Sequence, residues 1–401
     1  MEKRARFDEL DGYRGIAALV VVAYHVYLSD ALNRQGQAYA GTLGQTLLTA
    51  GDGAVDWFFV LSGFVVSLPL VRALLTGTAA PSPLAFLARR ARRILPLYYA
   101  AIVLAWWLWP QSPRSLLTHL TFTHIVDPLT VTDHIGAAWS LACEVIYYLL
   151  IALLGLPLTL LCQRIATPRA RAHLLLTGLL LTWLASVAYA STLGPNVAGA
   201  LAFSPFGRGG GFLMGVVLAV LWSWRGGWLG RRGRWSLGAA AGCLTLGAIV
   251  ARPSPAGAVL FHPVIGLAFG ALLASTLLAA DRAAVAWWWH RPGWRWLAAI
   301  SYSVYLLHQL IIWQLVRHGI LSAPNTSAYV LNLALVLAVT LPLASLSYWV
   351  IERPWLRPRG HHRLTWPARY ATGRGQDGGA PSGRPATAPG TSPRSARSSG
   401  Y

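Results

Sequence analysis

The 401-residue sequence is poor in charged residues and cysteines, and it has no recognisable nucleotide-binding motif. Charged residues make up 11% of the chain, against roughly 25% in an ordinary globular protein, which excludes a conventional soluble enzyme. Cys143, Cys162 and Cys243 lie in apolar stretches without C-x-x-C or metal-ligand spacing, so we expect no disulfide framework and no metal site. No Walker or Rossmann glycine pattern occurs. Because the sequence also lacks a G-x-S-x-G nucleophile motif and a DHHC cysteine run, a covalent serine or cysteine mechanism lacks sequence support.

Apolar residues are abundant instead. They make up 55% of the chain and include 19 tryptophans, more than a soluble core of this length can bury. The formal net charge of +20 comes from arginines and the single Lys3, in short clusters between apolar runs. This pattern fits membrane topology better than nucleic-acid binding. We therefore expect a lipid bilayer as partner and no nucleic acid.

Ten apolar stretches have the length of membrane-spanning helices, roughly 17 to 25 residues. They cover approximately 14–30, 53–75, 93–110, 138–162, 172–192, 207–224, 235–251, 257–280, 296–317 and 327–350. Since isolated spans must satisfy their backbone groups internally, we predict an all-α polytopic membrane domain over 1–355. Residues 356–401 are rich in Gly, Pro, Ser, Thr and Arg, which predicts a disordered basic tail.

Basic residues alternate between the loops in a way that predicts orientation. One set of loops and the N-terminus contain Lys3, Arg4, Arg6, Arg72, Arg89, Arg90, Arg92, Arg93, Arg164, Arg169, Arg171, Arg225, Arg231, Arg232, Arg234, Arg282, Arg291 and Arg295. The opposite set contains Arg34, Arg114, Arg252 and Arg317. The positive-inside rule then places both termini in the cytoplasm, with the chain in the plasma (inner) membrane. Because the first span carries ionisable residues and no small-residue cleavage site follows it, we do not interpret it as a cleavable signal peptide.

Ionisable residues inside spans are candidates for function, because such residues are costly in a bilayer. We predict His25 and Glu144 as catalytic residues and Arg14 as a cofactor-binding residue. Arg14 and His25 are eleven positions apart, which places them on one helix face about 16 Å apart. Glu144 lies about 7 to 8 Å inside its span, counted from Trp139, close to the depth estimated for His25. We therefore predict that Glu144 orients His25 and stabilises its imidazolium. The alternatives are a snorkelling arginine, a hydrogen-bonded histidine and a structural ion pair.

Four arginines precede the third span. Arg89, Arg90, Arg92 and Arg93 form two Arg-x-x-Arg pairs, and residues three apart share a helix face. Guanidinium groups suit phosphates, so we predict a phosphate-binding cluster. Membrane topology alone would explain one or two of these arginines.

Other polar residues in or beside the spans allow several interpretations. Asp56 is either an interfacial cap or the partner of a buried cation. Asp56, Arg208 and His308 are also candidates for contacting substrate or an oxyanion.

Two residue pairs indicate structural roles. The small residues Ser62 and Gly63 favour close helix packing. Glu352 and Arg353 predict an ion pair that anchors the end of the last span.

Seven blocks of sequence resemble, in order and spacing, the integral-membrane acyltransferases of the acyltransferase-3 family. They are LDGYRGIAALVVVAYH, VDWFFVLSGFVVS, RRARRILPLYY, AAWSLACEVIYYLL, FLMGVVLA, ISYSVYLLHQ and YWVIERP. The resemblance runs from residue 8 to about 355 and includes the short members of the family without a fused esterase-like domain. It implies a ten-helix O-acyltransferase domain that takes acyl groups from acyl-CoA, commonly acetyl-CoA, at the cytoplasmic side. The implied acceptor is a hydroxyl of a sugar, a glycolipid precursor or a glycosylated secondary metabolite such as a macrolide.

The resemblance also implies roles for individual residues. His25 matches the catalytic histidine of the family's Arg-ten-His element, which begins at Arg14. Arg90 and Arg93 match an Arg-x-x-Arg element implied to bind coenzyme A phosphates, and Glu144 matches the acid of the fourth block. Val145 departs from the pattern, since many members have a second acid at that position.

Two mechanisms and two other classes of function are compatible with the sequence. His25 either takes a proton from the acceptor hydroxyl or becomes acylated itself, and Arg14 or Arg208 offsets charge on the oxyanion. A secondary transporter or flippase for a polar lipid would also explain ten helices with intramembrane charges. A structural scaffold is a further alternative, and it would leave His25 and Glu144 tolerant of alanine.

Overall fold

Long helices coincide with all ten predicted apolar stretches. A computed structural model describes residues 7–33, 42–193, 203–281, 287–321 and 326–356. Its long helices are α1 (Asp8–Asn33), α2 (Ala54–Thr76), α3 (Pro83–Leu108), α4 (Trp139–Gln163), α5 (Pro168–Leu193), α6 (Gly210–Arg225), α7 (Arg231–Ala251), α8 (Pro255–Leu277), α9 (Pro292–Arg317) and α10 (Thr326–Ser347). The predicted disordered tail, beyond its first residue, lies outside the described residues.

Seven of these helices are long and apolar enough to cross a membrane: α2, α4, α5, α7, α8, α9 and α10. Helix α6 is apolar but shorter. Helix α3 contains the four arginines near its start, and α1 has three acids in its first turn. No strand occurs in the described ranges, and the predicted all-α polytopic membrane fold is confirmed.

Local sequence sets several helix boundaries. The Ser82 hydroxyl accepts a hydrogen bond from the Ala85 backbone N–H, and Pro83 occupies the first turn of α3. Ser254 caps α8 in the same way, again followed by proline. The serine hydroxyl satisfies one of the free N–H groups of the first turn, and the proline ring fixes φ at a value suited to the helix. Helix α2 ends at Gly77, whose φ of 72° lies in the left-handed region that glycine adopts without strain.

Helix α2 is central to the bundle and packs against α1, α4, α6 and α8. It approaches α6 most closely at Gly63 and Gly215. A Cβ atom on Gly63 would lie 2.2 Å from the backbone oxygen of Phe212, and one on Gly215 would lie 2.2 Å from that of Val60. The predicted role of Gly63 in close helix packing is therefore confirmed. On the other side of the bundle, α1 packs against α9 and α10.

The chain between α3 and α4, residues 109–138, folds into short helical turns that bury three histidines. His119 and His124 stack at 4.1 Å between ring centroids, and His134 meets His119 edge-on at 4.9 Å. Burial lowers the pKa of each of these histidines to about 4. The Gln309 side chain accepts a hydrogen bond from the Ala137 N–H at 2.8 Å, which attaches this segment to α9.

The predicted ion pair at the end of the last span involves a different arginine. A π-helical turn, Tyr348–Glu352, follows α10, and Glu352 is buried there. Its carboxylate pairs with Arg93 of α3 at 2.7 Å, whereas Arg353 stacks on Trp349 at 3.7 Å. The predicted Glu352–Arg353 ion pair was wrong. Adjacent residues on a helix do not face each other, so Arg353 packs on Trp349 of its own helix while Glu352 meets Arg93 of α3.

Candidate active site

A cavity of about 320 Å³ lies between α1, α2, α3, α4 and α9. Its walls are formed by Arg14, Val55, Phe58, Phe59, Ser62, Val65, Val66, Arg89, Arg90, Arg93, Ile94, Ser140, Leu141, Glu144, Tyr148, Ser301, Tyr302, Tyr305 and Leu356. The lining residues of α2 run from Val55 to Val66, a helical rise of roughly 16 Å. The cavity therefore extends along much of the length of α2.

Four arginines line the cavity, near the starts of α1 and α3. Arg89, Arg90 and Arg93 are three and four residues apart and so share one face of α3, and Arg14 reaches the same cavity from α1. In the part of the chain that the structure describes, Arg14, Arg89 and Arg90 form no ion pair. We call this side of the cavity the arginine end. Its free guanidinium groups suit phosphate oxygens.

The other two members of the predicted arginine cluster, Arg93 and Arg92, differ from Arg89 and Arg90. Arg93 lines the cavity but is already paired with Glu352, and its guanidinium lies 5.6 Å from the centroid of the Tyr302 ring. Arg92 does not line the cavity, and its Nε donates to the Ala88 carbonyl at 3.1 Å. The structure therefore does not support the predicted place of Arg92 at the binding site, since Arg92 is on a different face of α3.

Glu144 lies in the cavity wall and is held by two hydroxyl groups. The Ser62 hydroxyl donates a short hydrogen bond to its Oε1 atom, and the Tyr148 hydroxyl donates to the same atom at 2.5 Å. Ser62 thus has a polar role beyond the predicted helix packing. A carboxylate with two donors on one oxygen keeps acceptor capacity on the other.

His25 lies beside a second histidine from α9. The ring centroids of His25 and His308 are 4.8 Å apart, with an angle of 64° between the ring planes. The Nδ1 atom of His25 lies 2.9 Å from the Val21 carbonyl oxygen, and that of His308 lies 3.0 Å from the Val304 carbonyl oxygen. Since a carbonyl only accepts, both rings carry hydrogen on Nδ1 and a lone pair on Nε2 when neutral.

The predicted hydrogen-bonded pair of His25 and Glu144 is not formed. Glu144 bonds to Ser62 and Tyr148, whereas the described contacts of His25 are with its own helix and with His308. The prediction was wrong because helical rise gives the depth of a residue but not the direction in which its side chain points.

Tyr305 connects the two parts of the candidate site. It lines the cavity, and its ring centroid lies 6.1 Å from that of His308. Its hydroxyl lies 2.6 Å from that of Ser140. One face of α9 carries Ser301, Tyr305 and His308, which have the i, i+4, i+7 spacing. This face therefore connects the cavity to His308 and His25, which we call the histidine pair.

The family model described as an acyltransferase domain (Acyl_transf_3) matches residues 7–349. The chain belongs to the acyltransferase-3 family. That match covers the arginine end, Glu144 and the histidine pair. It leaves out the cavity residue Leu356 and the Glu352 carboxylate that pairs with Arg93.

Two relatives of this acyltransferase-3 protein align with parts of it. "Protein 2 in picA locus" of Rhizobium radiobacter is 37% identical over 99 residues, which are 25% of this chain and 44% of the relative. "Acyltransferase MdmB" of Streptomyces mycarofaciens is 28% identical over 158 residues, 36% of this chain and 38% of the relative. The chain thus matches less than half the length of each of these relatives. No solved structure matches it.

Asp56 and Arg208 of this acyltransferase-3 protein, like His25 and His308, do not line the cavity. Asp56, which is 1% exposed, accepts a hydrogen bond from Nδ1 of His262 in α8 at 2.8 Å. Arg208 contacts the opposite ring nitrogen of His262, and its guanidinium stacks on Trp139 at 4.9 Å. Asp56 was predicted to be an interfacial cap or the partner of a buried cation, and its partner in the structure is His262, which in turn contacts Arg208. Sequence reasoning missed His262, although a histidine inside an apolar span is the signal that identified His25.

Proposed function

We propose that this protein is a membrane O-acyltransferase that moves an acyl group from acyl-CoA to a hydroxyl group. Membership of the acyltransferase-3 family supports the reaction class. The observation that carries the proposal is the cavity, which joins unpaired arginines at one end to Tyr305, the neighbour of His308, at the other. We propose acetyl-CoA as donor and a carbohydrate, glycolipid precursor or glycosylated metabolite such as a macrolide as acceptor.

The arginine end has the chemistry to bind the phosphates of coenzyme A. Arg14, Arg89 and Arg90 contribute guanidinium groups that form no ion pair among the described residues, and Arg93 lies beside them with its charge shared with Glu352. The pantetheine arm then occupies the cavity, where Glu144 is available to accept a hydrogen bond from an amide N–H. In this proposal Glu144 positions the donor and does not orient His25.

The proposed chemistry uses His25 as the base. Its Nε2 takes the proton from the acceptor hydroxyl as the hydroxyl oxygen attacks the thioester carbonyl. The carbon–sulfur bond breaks, and the departing thiolate receives that proton, which returns His25 to its neutral form. Tyr305, which lines the cavity and lies beside His308, marks the side on which the acyl group approaches the histidines in this proposal. Because Arg14 lies in the cavity and Arg208 does not, we assign Arg14 to the donor and give Arg208 no part in the reaction.

The arginine end also supports an orientation. Acyl-CoA is a cytoplasmic metabolite, so we propose that the arginine end faces the cytoplasm and that both termini lie on that side of the plasma membrane. The positive-inside distribution of arginine favours the same orientation.

Purified protein in lipid nanodiscs tests this proposal. With acetyl-CoA radiolabelled in the acetyl group, and with octyl β-glucoside and erythromycin as two hydroxyl-bearing acceptors, we expect label in at least one acceptor. His25→Ala should abolish transfer, whereas Arg92→Ala should retain it. Absence of transfer to both acceptors, together with movement of a glycolipid across liposomes containing the protein, would instead support a transporter.

A cellular experiment identifies the natural acceptor. Mass spectrometry of glycans, lipids and secondary metabolites from cells with and without the gene should show one species that loses an acyl increment. Complementation with the wild-type gene should restore that increment, and complementation with the His25→Ala variant should not.

A further inference from the structure

A second cavity lies beside the arginine end, between α2, α3 and α4. It measures about 370 Å³ and is bounded by residues 66–70 of α2, 79–81 of the following connection, 83–89 of α3 and 151–163 of α4. Its volume is within the range of ligand pockets, roughly 300 to 1,000 Å³. Leu156 and Leu160 line it and are more than half exposed on α4, a helix long and apolar enough to cross the membrane. Since exposed leucines on such a helix face lipid, the cavity opens sideways towards the bilayer.

The wall that α4 contributes has the length of one lipid leaflet. Residues 151 to 163 cover a helical rise of roughly 18 Å, and half of the hydrocarbon core of a bilayer is about 15 Å thick. The cavity reaches the last residue of α4, Gln163, and the first residue of α3, Pro83. It therefore begins where helices leave the membrane and extends inward by about the depth of a single acyl chain.

Apolar side chains form most of this cavity wall. Its polar lining residues are Arg89, Thr159 and Gln163, and the Thr159 hydroxyl already donates to the Gly155 carbonyl at 2.7 Å. The nitrogens of a nucleotide base would need hydrogen-bond partners in such a pocket, because burying a polar group without one is costly. An acyl chain has no such requirement, so the lining favours an acyl chain over the adenine of a coenzyme.

Arg89 adds a positive charge to this apolar pocket. Its side chain lines both cavities, and it forms no ion pair in the ranges that the structure describes. Arginine clusters at the end of a membrane span attract anionic lipids, and a guanidinium group suits the oxygens of a phosphate diester. A ligand with an apolar chain and a phosphate at its end is thus complementary to the second cavity.

We propose that the second cavity binds an anionic phospholipid from the leaflet at the arginine end. One acyl chain lies between α2, α3 and α4, and the lipid phosphate binds Arg89. This binding does not depend on the proposed reaction. Because Arg89 also lines the first cavity, the lipid phosphate and the phosphates of the proposed donor would meet at one guanidinium group.

The test is native mass spectrometry of delipidated protein in detergent, titrated with dioleoylphosphatidylglycerol. Arg89→Ala should weaken binding of this lipid about 5- to 10-fold, since the contact is charged but exposed to solvent. Gly155→Leu places a side chain in the cavity, and its Cβ would meet Leu70 at an ordinary 3.7 Å. It should weaken binding at least about 10-fold, because each displaced methylene changes affinity roughly fourfold.

Two matched controls separate this site from general effects of charge and of a larger side chain. Arg92→Ala removes a neighbouring arginine that lines neither cavity. Gly178→Leu adds a leucine to α5 at a glycine whose Cβ would meet nothing within 4 Å among the described residues. Both should bind the lipid within about threefold of wild type. Ala152→Leu is a second variant that fills the cavity, and it replaces Gly155→Leu if the latter lowers the melting temperature.

The controls also define the results that would overturn the proposal. Equal lipid binding by Arg89→Ala and Arg92→Ala would show that the phosphate does not bind Arg89, and equal binding by the cavity-filling variant and Gly178→Leu would place the acyl chain elsewhere. If the cavity-filling variant lost binding of coenzyme A in calorimetry but kept that of the lipid, the second cavity would belong to the donor. Absence of acyl transfer by the wild type would refute the proposed function and leave this measurement unaffected.

Discussion

Replacing Arg90 by alanine should weaken acyl-CoA binding without changing the chemical step. Arg90 lines the cavity, and its Nε is buried without a hydrogen-bond partner among the described residues. A hydrogen bond to a charged partner contributes about 1.5 to 3 kcal/mol, which corresponds to a 10- to 100-fold change in affinity. Arg90 is half-buried, so screening by water and salt favours the lower part of this range. We therefore expect KM for acetyl-CoA to rise at least about 10-fold, with kcat nearly unchanged.

Arg92→Ala is the control that separates the loss of a positive charge from the loss of a cavity residue. It removes the same charge two residues away, from an arginine whose Nε bonds to its own helix outside the cavity. We expect its KM to stay within about twofold of wild type. Arg90→Lys should lie between wild type and Arg90→Ala, because lysine keeps the charge but loses the fork that binds two phosphate oxygens.

The assay is initial-rate kinetics in nanodiscs at low and high ionic strength. The wild-type KM should rise with salt, and that of Arg90→Ala should rise less, since one screened interaction is already lost. Equal effects of Arg90→Ala and Arg92→Ala would show that net positive charge, and not the cavity wall, determines affinity. A fall in kcat without a change in KM would refute the assignment of Arg90 to donor binding.

Three further predictions concern the scaffold. Gly215→Ala should destabilise the protein by about 1 to 3 kcal/mol, because the new Cβ meets a backbone oxygen of α2. Gly238→Ala is the control, because its Cβ meets nothing within 4 Å among the described residues. In thermal unfolding in nanodiscs, the melting temperature should fall for Gly215→Ala and stay unchanged or rise slightly for Gly238→Ala. Glu352→Gln should cost about 1 to 3 kcal/mol by removing the charge that Arg93 pairs with, and an unchanged melting temperature would contradict this. Burial lowers the pKa of the three histidines in 109–138 to about 4, against about 6.5 in an unfolded chain. The opened segment therefore binds more protons between these values, and the folded segment should lose stability as pH falls from about 6.5 to about 4. Hydrogen exchange over 109–138 at pH 7 and pH 5, corrected for intrinsic rates, checks this, and equal protection at both would count against it.

The sequence predicted the helices well because their signal is local. An apolar run of about 20 residues in a bilayer has few alternatives to a helix, and each of the ten predicted runs coincides with one. The same holds for Arg89, Arg90 and Arg93, whose spacing of three and four residues fixes a shared face. Arg92 shares a spacing of three residues with Arg89, but it is two residues, about 200° of helical rotation, from Arg90, so it lies on the other side of the helix from Arg90.

Contacts between helices could not be predicted in this way. Glu144 and His25 lie at similar estimated depths, yet the rotation of each helix about its axis decides what its side chain meets. That rotation depends on packing contacts such as the close approach of α2 and α6 at Gly63, which no single segment encodes. His308 was recognised as a polar residue within a span, but its partnership with His25 required the packing of α1 against α9.

The distribution of charge along the cavity limits which donors fit it. Cationic side chains line only one end, and Arg14 and His25 are separated by about 16 Å of helical rise on a single helix. A small acyl phosphate bound by the arginines would leave its carbonyl far from the histidine pair. A donor with phosphates at one end and its reactive carbonyl at the other, joined by a flexible and mostly uncharged arm, meets both requirements. Acyl-CoA is such a molecule, so the spacing of the two clusters is compatible with acyl-CoA as the proposed donor.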